Sequence, residues 1–129
     1  MCAFANDINN LGGGYIVVGM KERDGIPQLP PEGLLKNQID GIQKKLVQLS
    51  NLIQPTYYGV SDFAEIEGET VLVIHCPGGD HRPYSAPASL SKKTKDRLYW
   101  VRRYNSTVRA NHNEQQSLHE MAAKIPFDD

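Results

Sequence analysis

The densest set of ligand-capable side chains lies in the C-terminal third of the chain. Arg82, Lys92, Lys93, Lys95, Arg97, Arg102, Arg103 and Arg109 fall between Asp80 and His112, opposed only by Asp80 and Asp96. That stretch carries +6 while the whole chain carries −1, which leaves −7 for the remainder. Such an asymmetry suits a local anion-binding face on an acidic body, not a strong non-specific polycation. Arginine forks match phosphate oxygens two at a time, and lysine adds charge. Tyr99, Trp100 and Tyr104 interleave with Arg97, Arg102 and Arg103, a composition usable for stacking on bases. Asn105-Ser106-Thr107 is predicted to be a turn whose N–H and hydroxyl groups could hold a phosphate. The competing reading makes Trp100 and Tyr104 core and the arginines a solvated strand face. The expected nucleic-acid contacts are Arg82, Lys92, Lys93, Arg102, Arg103, Ser106, Thr107 and Arg109.

Other chemistries find less support. The glycine triplet Gly12–Gly14 invites a phosphate-loop reading, but such loops follow a strand and open a helix, whereas these glycines follow a helix and open a strand. No Gly-Lys-Ser/Thr occurs, and Gly12, Gly14 and Val17 break the dinucleotide fingerprint, so a structural turn is expected and no cofactor is implied. There is no Gly-x-Ser-x-Gly elbow. His75, His81, His112 and His119 are scattered: His75 is expected in the core, and His81 and His112 flank the basic stretch as surface residues. No cluster has metal-site spacing; Glu65, Glu67 and Glu69 are expected to solvate a hairpin turn. Cys2 and Cys76 lack CxxC spacing and are expected as small, reduced core residues of a cytosolic protein. No apolar run approaches the roughly 18 residues of a membrane span. The 129 residues are expected to form one domain, with no membrane partner.

The elements that must position these groups can be read in order. Met1 to Ile8 is predicted as the end of a helix, stopped by Asn9, Asn10 and the glycines. Tyr15–Val18 is aromatic and β-branched and is predicted as a strand buried on both faces. Asp24-Gly25 marks a tight turn. Leu35, Ile39, Ile42, Leu46, Leu49 and Ile53 recur at three- and four-residue spacing, so a helix is predicted over Leu34–Gln54, ended by Pro55. Strands are predicted over Thr56–Ile66 and Glu69–Cys76, joined at Glu67-Gly68, the second central in the sheet. His81–Asp96 reads as a polar loop, Arg97–Tyr104 as a strand and Asn113–Lys124 as a helix capped by Asn111 or Asn113. Alternation sets Tyr99, Val101 and Arg103 on one face of that strand and Trp100, Arg102 and Tyr104 on the other. A lone tryptophan belongs in the core, so the Trp100 face is expected to pack on the long helix. Arg102 would then be partly covered and Arg103 exposed. Hairpin-linked strand pairs between helices imply an α+β (mixed α/β) fold.

One set of motifs extends this reading. Ala3-Phe4-Ala5-Asn6, then Gly13-Gly14-Tyr15-Ile16-Val17-Val18-Gly19, resembles the signature of the Schlafen/AlbA-type DNA-binding domain. Leu49–Pro55, Val71–Pro77, Arg82-Pro83-Tyr84 and Tyr99–Thr107 agree with it in order. The resemblance implies a two-layer sandwich of a mostly antiparallel or mixed sheet with helices. It also implies a DNA-binding module of the kind found in bacterial transcriptional regulators and RecG-like, ATP-dependent helicase-related proteins. In that family a strand and most of a helix precede the Ala-Phe-Ala-Asn run, so Phe4 and the Tyr15–Val18 strand are expected to lack covering partners. A homo-oligomer, most simply a dimer, follows as an expectation. The RNA-cutting animal relatives use three acidic residues, two upstream of that run and one just after the strand ending at Gly19. Here the last place reads Met20-Lys21-Glu22, a lysine where an acid is expected unless Glu22 or Asp24 substitutes, so no nuclease activity is expected. The alternatives to a nucleic-acid module are a nucleotide-binding (ATP) or helicase-related enzymatic domain and a structural or oligomerisation domain.

Overall fold

The chain begins with α1 (Cys2–Asn6), one turn of helix built from small side chains. Asp7 ends it in the left-handed conformation, at φ 42°, with its N–H returned to the Ala3 carbonyl. A glycine loop leads into β1 (Gly14–Val18). Gly13, at φ +85°, lies so close to the sheet that a Cβ there would sit 1.9 Å from the Cys76 carbonyl oxygen. Only glycine fits both requirements. The computed structural model describes residues 1–90 and 96–123.

Two antiparallel three-stranded sheets follow. In the first, β5 (Glu69–Cys76) lies between β1 and β4 (Val60–Ile66), with Ile74 opposite Ile16 and Leu72 opposite Val18 and Phe63. In the second, β7 (Arg97–Arg103) lies between β6 (Ser85–Pro87) and β8 (Ser106–Arg109). A small hairpin, β2 (Glu22–Arg23) and β3 (Ile26–Pro27), turns at Asp24-Gly25 as expected. Helix α2 (Lys36–Ser50) lays Ile42 and Leu46 on the core, and α3 (His112–Ala123) closes the described chain. The fold is therefore α+β, with β5 central as expected.

Two apolar clusters hold these layers. The larger joins Cys2 and Ala5 of α1 to Leu72, Ile74 and Cys76 of β5, together with Ile53, Tyr57 and Tyr84, and Trp100 packs on it. The smaller joins Val101 and Ala110 to Leu118 of α3, with Ile8, Tyr99 and Val108 around it. Strand β7 is thus covered on both faces, Trp100 towards one cluster and Val101 towards the other. The tryptophan packs on the core cluster as a partly buried side chain, and α1 rather than the long helix packs against β7. Both cysteines are buried free thiols. Burial pushes the Cys2 thiol up to about 11 and raises that of Cys76, so neither is a ready nucleophile.

Several sequence expectations are corrected. β1 is an edge strand covered on one face only: Ile16 and Val18 pack inward, while Tyr15 is 66% exposed. His75 also points outward and stacks on Tyr15 with ring centroids 4.8 Å apart, so it is not a core histidine. Helix α2 starts later than expected because Leu35 is extended, at φ −79° and ψ 148°, after the Leu34 N–H bonds to the Thr70 carbonyl at 2.8 Å. It stops at Ser50 because residues 51–53 turn to drop Ile53 into the core, and Arg97 grips the Leu52 carbonyl there. Residues 56–59 are not strand; Tyr57 is buried and donates its hydroxyl to the Pro77 carbonyl at 2.6 Å. Ser106 and Thr107 are not in a turn but in β8, because the chain reverses at Tyr104-Asn105.

One side chain joins the layers. Asn6 is fully buried, and its amide nitrogen donates to the Tyr84 carbonyl at 2.9 Å and the Trp100 carbonyl at 2.6 Å. Its amide oxygen accepts from the Tyr84 N–H at 2.6 Å. Asn6→Ala would leave the Trp100 carbonyl and the Tyr84 N–H unpaired and the Tyr84 carbonyl with only the weak Cys2 thiol donor at 3.4 Å. At roughly 1–3 kcal/mol for each unpaired group, a loss of about 2 kcal/mol or more is expected in urea unfolding. Asn6→Asp should not rescue, since a carboxylate has no donor for the two carbonyls. A loss below about 1 kcal/mol in the alanine variant would refute this role.

Candidate nucleic-acid interface

The β7–β8 hairpin carries most of the expected contacts that the structure describes. Its register pairs Trp100 with Arg109, Arg102 with Thr107 and Arg103 with Ser106. Directly paired residues share a face. Arg102, Thr107 and Arg109 therefore lie on the Trp100 side, and Arg103 and Ser106 on the Val101 side. The alternation along β7 is the expected one, with Arg102 half-buried and Arg103 exposed; the register adds Arg109 to the Arg102 side.

The arginines differ in how they are held. Arg102 is half-buried, with its guanidinium 5.6 Å from the centre of the Phe4 ring, in cation–π range, and it donates to the Thr107 hydroxyl at 2.9 Å. One N–H is committed there, which leaves the fork otherwise available. Arg103 forms a two-point ion pair with Glu114 of α3. Arg109 is exposed. Arg97 is structural: it donates to the Ser85 hydroxyl at 3.2 Å and to the Ser85 and Leu52 carbonyls. Arg82 also serves the fold, donating to the Gly79 carbonyl at 2.8 Å and reaching the Met121 sulfur. Ser106 is exposed, its hydroxyl 3.4 Å from the Asn105 side-chain oxygen. Lys92 and Lys93 lie outside the described residues.

Beside the hairpin runs an open groove of about 780 Å³. One wall is Phe4, Asp7, Ile8, Asn9, Leu11 and Gly13; the other is Arg102, Arg103, Tyr104 and Glu114. The Asp7 carboxylate shapes the first wall by accepting the N–H groups of Leu11 and Gly12 at 2.9 and 3.0 Å. Two amides at the start of the glycine loop are thus occupied by the chain's own anion. Among the described residues, no group of three histidine, cysteine or acidic side chains is gathered to hold a metal. No described helix is long and apolar enough to cross a membrane.

Sequence reasoning missed this apolar wall and the acidic partner. Phe4 and Leu11 carry no sign of groove-lining in sequence, since apolar residues read as core. Glu114 had a usable signal: it follows Asn111 by three. The Asn111 side chain accepts from the Glu114 N–H at 2.9 Å while Glu114 accepts from the Asn111 N–H at 3.0 Å, a reciprocal cap that starts α3.

Fold and site together define an α+β domain whose cationic hairpin borders a groove lined by both apolar and charged side chains. The family model "Schlafen, AlbA_2" matches residues 1–111, and the chain belongs to that family. No curated protein and no solved structure matches the chain.

Burial alone would raise the Glu114 carboxyl, but the Arg103 guanidinium and the Asn111 N–H together hold it below the ordinary carboxylate range. A lowered folded value means that the pair's stabilisation is present above the unfolded value of about 4.3 and is lost as pH falls through the folded one. Glu114→Gln keeps an acceptor for the cap and removes the charge. Wild type should exceed it in stability by up to about 1 kcal/mol at neutral pH, with the difference vanishing in acid. Urea unfolding at both pH values tests this; a difference that persists in acid would contradict it.

Proposed function

We propose that this domain is a nucleic-acid-binding module, for DNA, of the kind used by transcriptional regulators, and that it binds phosphates through the β7–β8 hairpin. The observation that carries the reading is the placement of Arg102 and Arg109 on one side of a hairpin, with Arg103 at its tip, in a chain that is otherwise acidic. Family membership supports the class of ligand. Arg102 is preset by Phe4 and Thr107, which lowers the ordering cost of gripping a phosphate. The ATP reading is weaker, because the Leu11 and Gly12 amides of the loop are already bonded to the Asp7 carboxylate, an anion where a phosphate would sit. Arg102→Ala with Arg109→Ala should weaken binding alike for all sequences and flatten the salt slope by about 1 for each phosphate left without its arginine. No binding by wild type to any DNA at low salt would overturn the reading.

A twofold dimer belongs to the same proposal. The outward face of the first sheet exposes Tyr15, Val17 and Val60, beside the free edge of β1. Light scattering at tens of micromolar, an order-of-magnitude range for such association, should give twice the chain mass. A monomer there would count against it.

A further inference from the structure

We infer that the groove beside the hairpin takes an unstacked base of single-stranded DNA, with Tyr104 as the stacking platform. The inference rests on the DNA-binding reading and specifies the form of DNA.

Tyr104 opens the two-residue turn between Arg103 and Ser106 at φ +53°. That backbone conformation suits glycine and is strained for an aromatic residue. Strain of this kind is normally offset by packing, but the Tyr104 side chain has no cover at all, at 101% exposure. The chain therefore holds a bare aromatic ring at the tip of its cationic hairpin, at a cost that no packing among the described residues returns.

The groove beneath the ring explains what it could meet. Beside Asp7, whose carboxylate is bonded to the loop, and Asn9, its opposite wall presents Phe4, Ile8 and Leu11, the last 81% exposed, apolar side chains for which phosphate has no use. Its volume of about 780 Å³ lies within the usual range for ligand sites. Arg102 stands at the rim to take the backbone phosphate. A duplex offers phosphates and base edges, but its base faces are stacked shut. An unpaired nucleotide offers an aromatic face for Tyr104 and Leu11, and its own phosphate for Arg102.

The test compares wild type, Tyr104→Gly and Tyr104→Phe by fluorescence anisotropy. The probes are an oligothymidylate of about 16 nucleotides, enough for one single-strand site, and a duplex of equal length at matched salt. Glycine removes the ring and relieves the strain, so urea unfolding should show that variant at least as stable as wild type. Wild type is expected to prefer the single strand. Tyr104→Gly should bind the single strand about 10-fold or more weakly, the scale of one stacked base. It should leave duplex binding within about twofold, since the arginines that meet phosphate remain. Tyr104→Phe should behave as wild type. Equal or tighter duplex binding, or equal weakening on both probes, would overturn the inference and leave the DNA-binding reading standing. No binding to either probe would overturn both.

Discussion

The structure depends on one buried amide. Asn6 lies where α1, β6 and β7 meet, and its three hydrogen bonds satisfy backbone groups of Tyr84 and Trp100 that face the interior. Neither carbonyl nor N–H could be left there unpaired without a penalty comparable to a sizeable fraction of a domain's net stability. The neighbours of Asn6 follow from that constraint. Cys2, Ala3 and Ala5 are small, so the helix approaches closely enough for the amide to reach. The Ala5 carbonyl accepts the Gly79 N–H, tying the segment after β5 to the same turn of helix. The Ala-Phe-Ala-Asn run thus has a physical meaning: two spacers, one groove-lining ring and one hydrogen-bonding hub.

The site is what remains once the hub has been built. Because α1 packs on one face of β7 and α3 on the other, that strand is partly covered along most of its length and Val101 is fully buried. Only its last residues and the turn project beyond the cover. The glycine loop returns past the same end of the strand, held down by Gly13 against Cys76, and supplies the facing wall. Phe4 belongs to both arrangements, packing on the main core and supporting Arg102 from below. Position and charge at the site are therefore consequences of the packing that stabilises the domain.

Much of the fold was legible because its signals are periodic. The α2 stripe, the β4–β5 turn at Glu67-Gly68 and the continuous apolar centre of β5 each carry a local signature that tertiary structure did not override. The edge position of β1 was not legible, since Tyr15-Ile16-Val17-Val18 is equally apolar at buried and exposed positions. The reversal at Tyr104-Asn105 was missed because tyrosine is a poor turn former, and Ser106-Thr107 supplied a more persuasive but wrong turn. That two-residue displacement also decided the site, since cross-strand register determines which arginines share a face. The roles of Arg82 and Arg97 were hidden for another reason: a guanidinium binds backbone carbonyls as readily as phosphate, and composition does not distinguish them.

The Arg103–Glu114 pair bears on how binding would respond to ionic conditions. A lone arginine that neutralises a phosphate frees a cation condensed on the nucleic acid, and that release makes affinity salt-dependent. Arg103 instead carries its counterion within the chain. Were it to engage a phosphate, the nucleic acid would give up a cation while the freed Glu114 carboxylate gathered one, and the net release would be small. Its share of the affinity would then persist at salt concentrations that silence Arg109, and the number of bound phosphates deduced from salt dependence alone would come out too low.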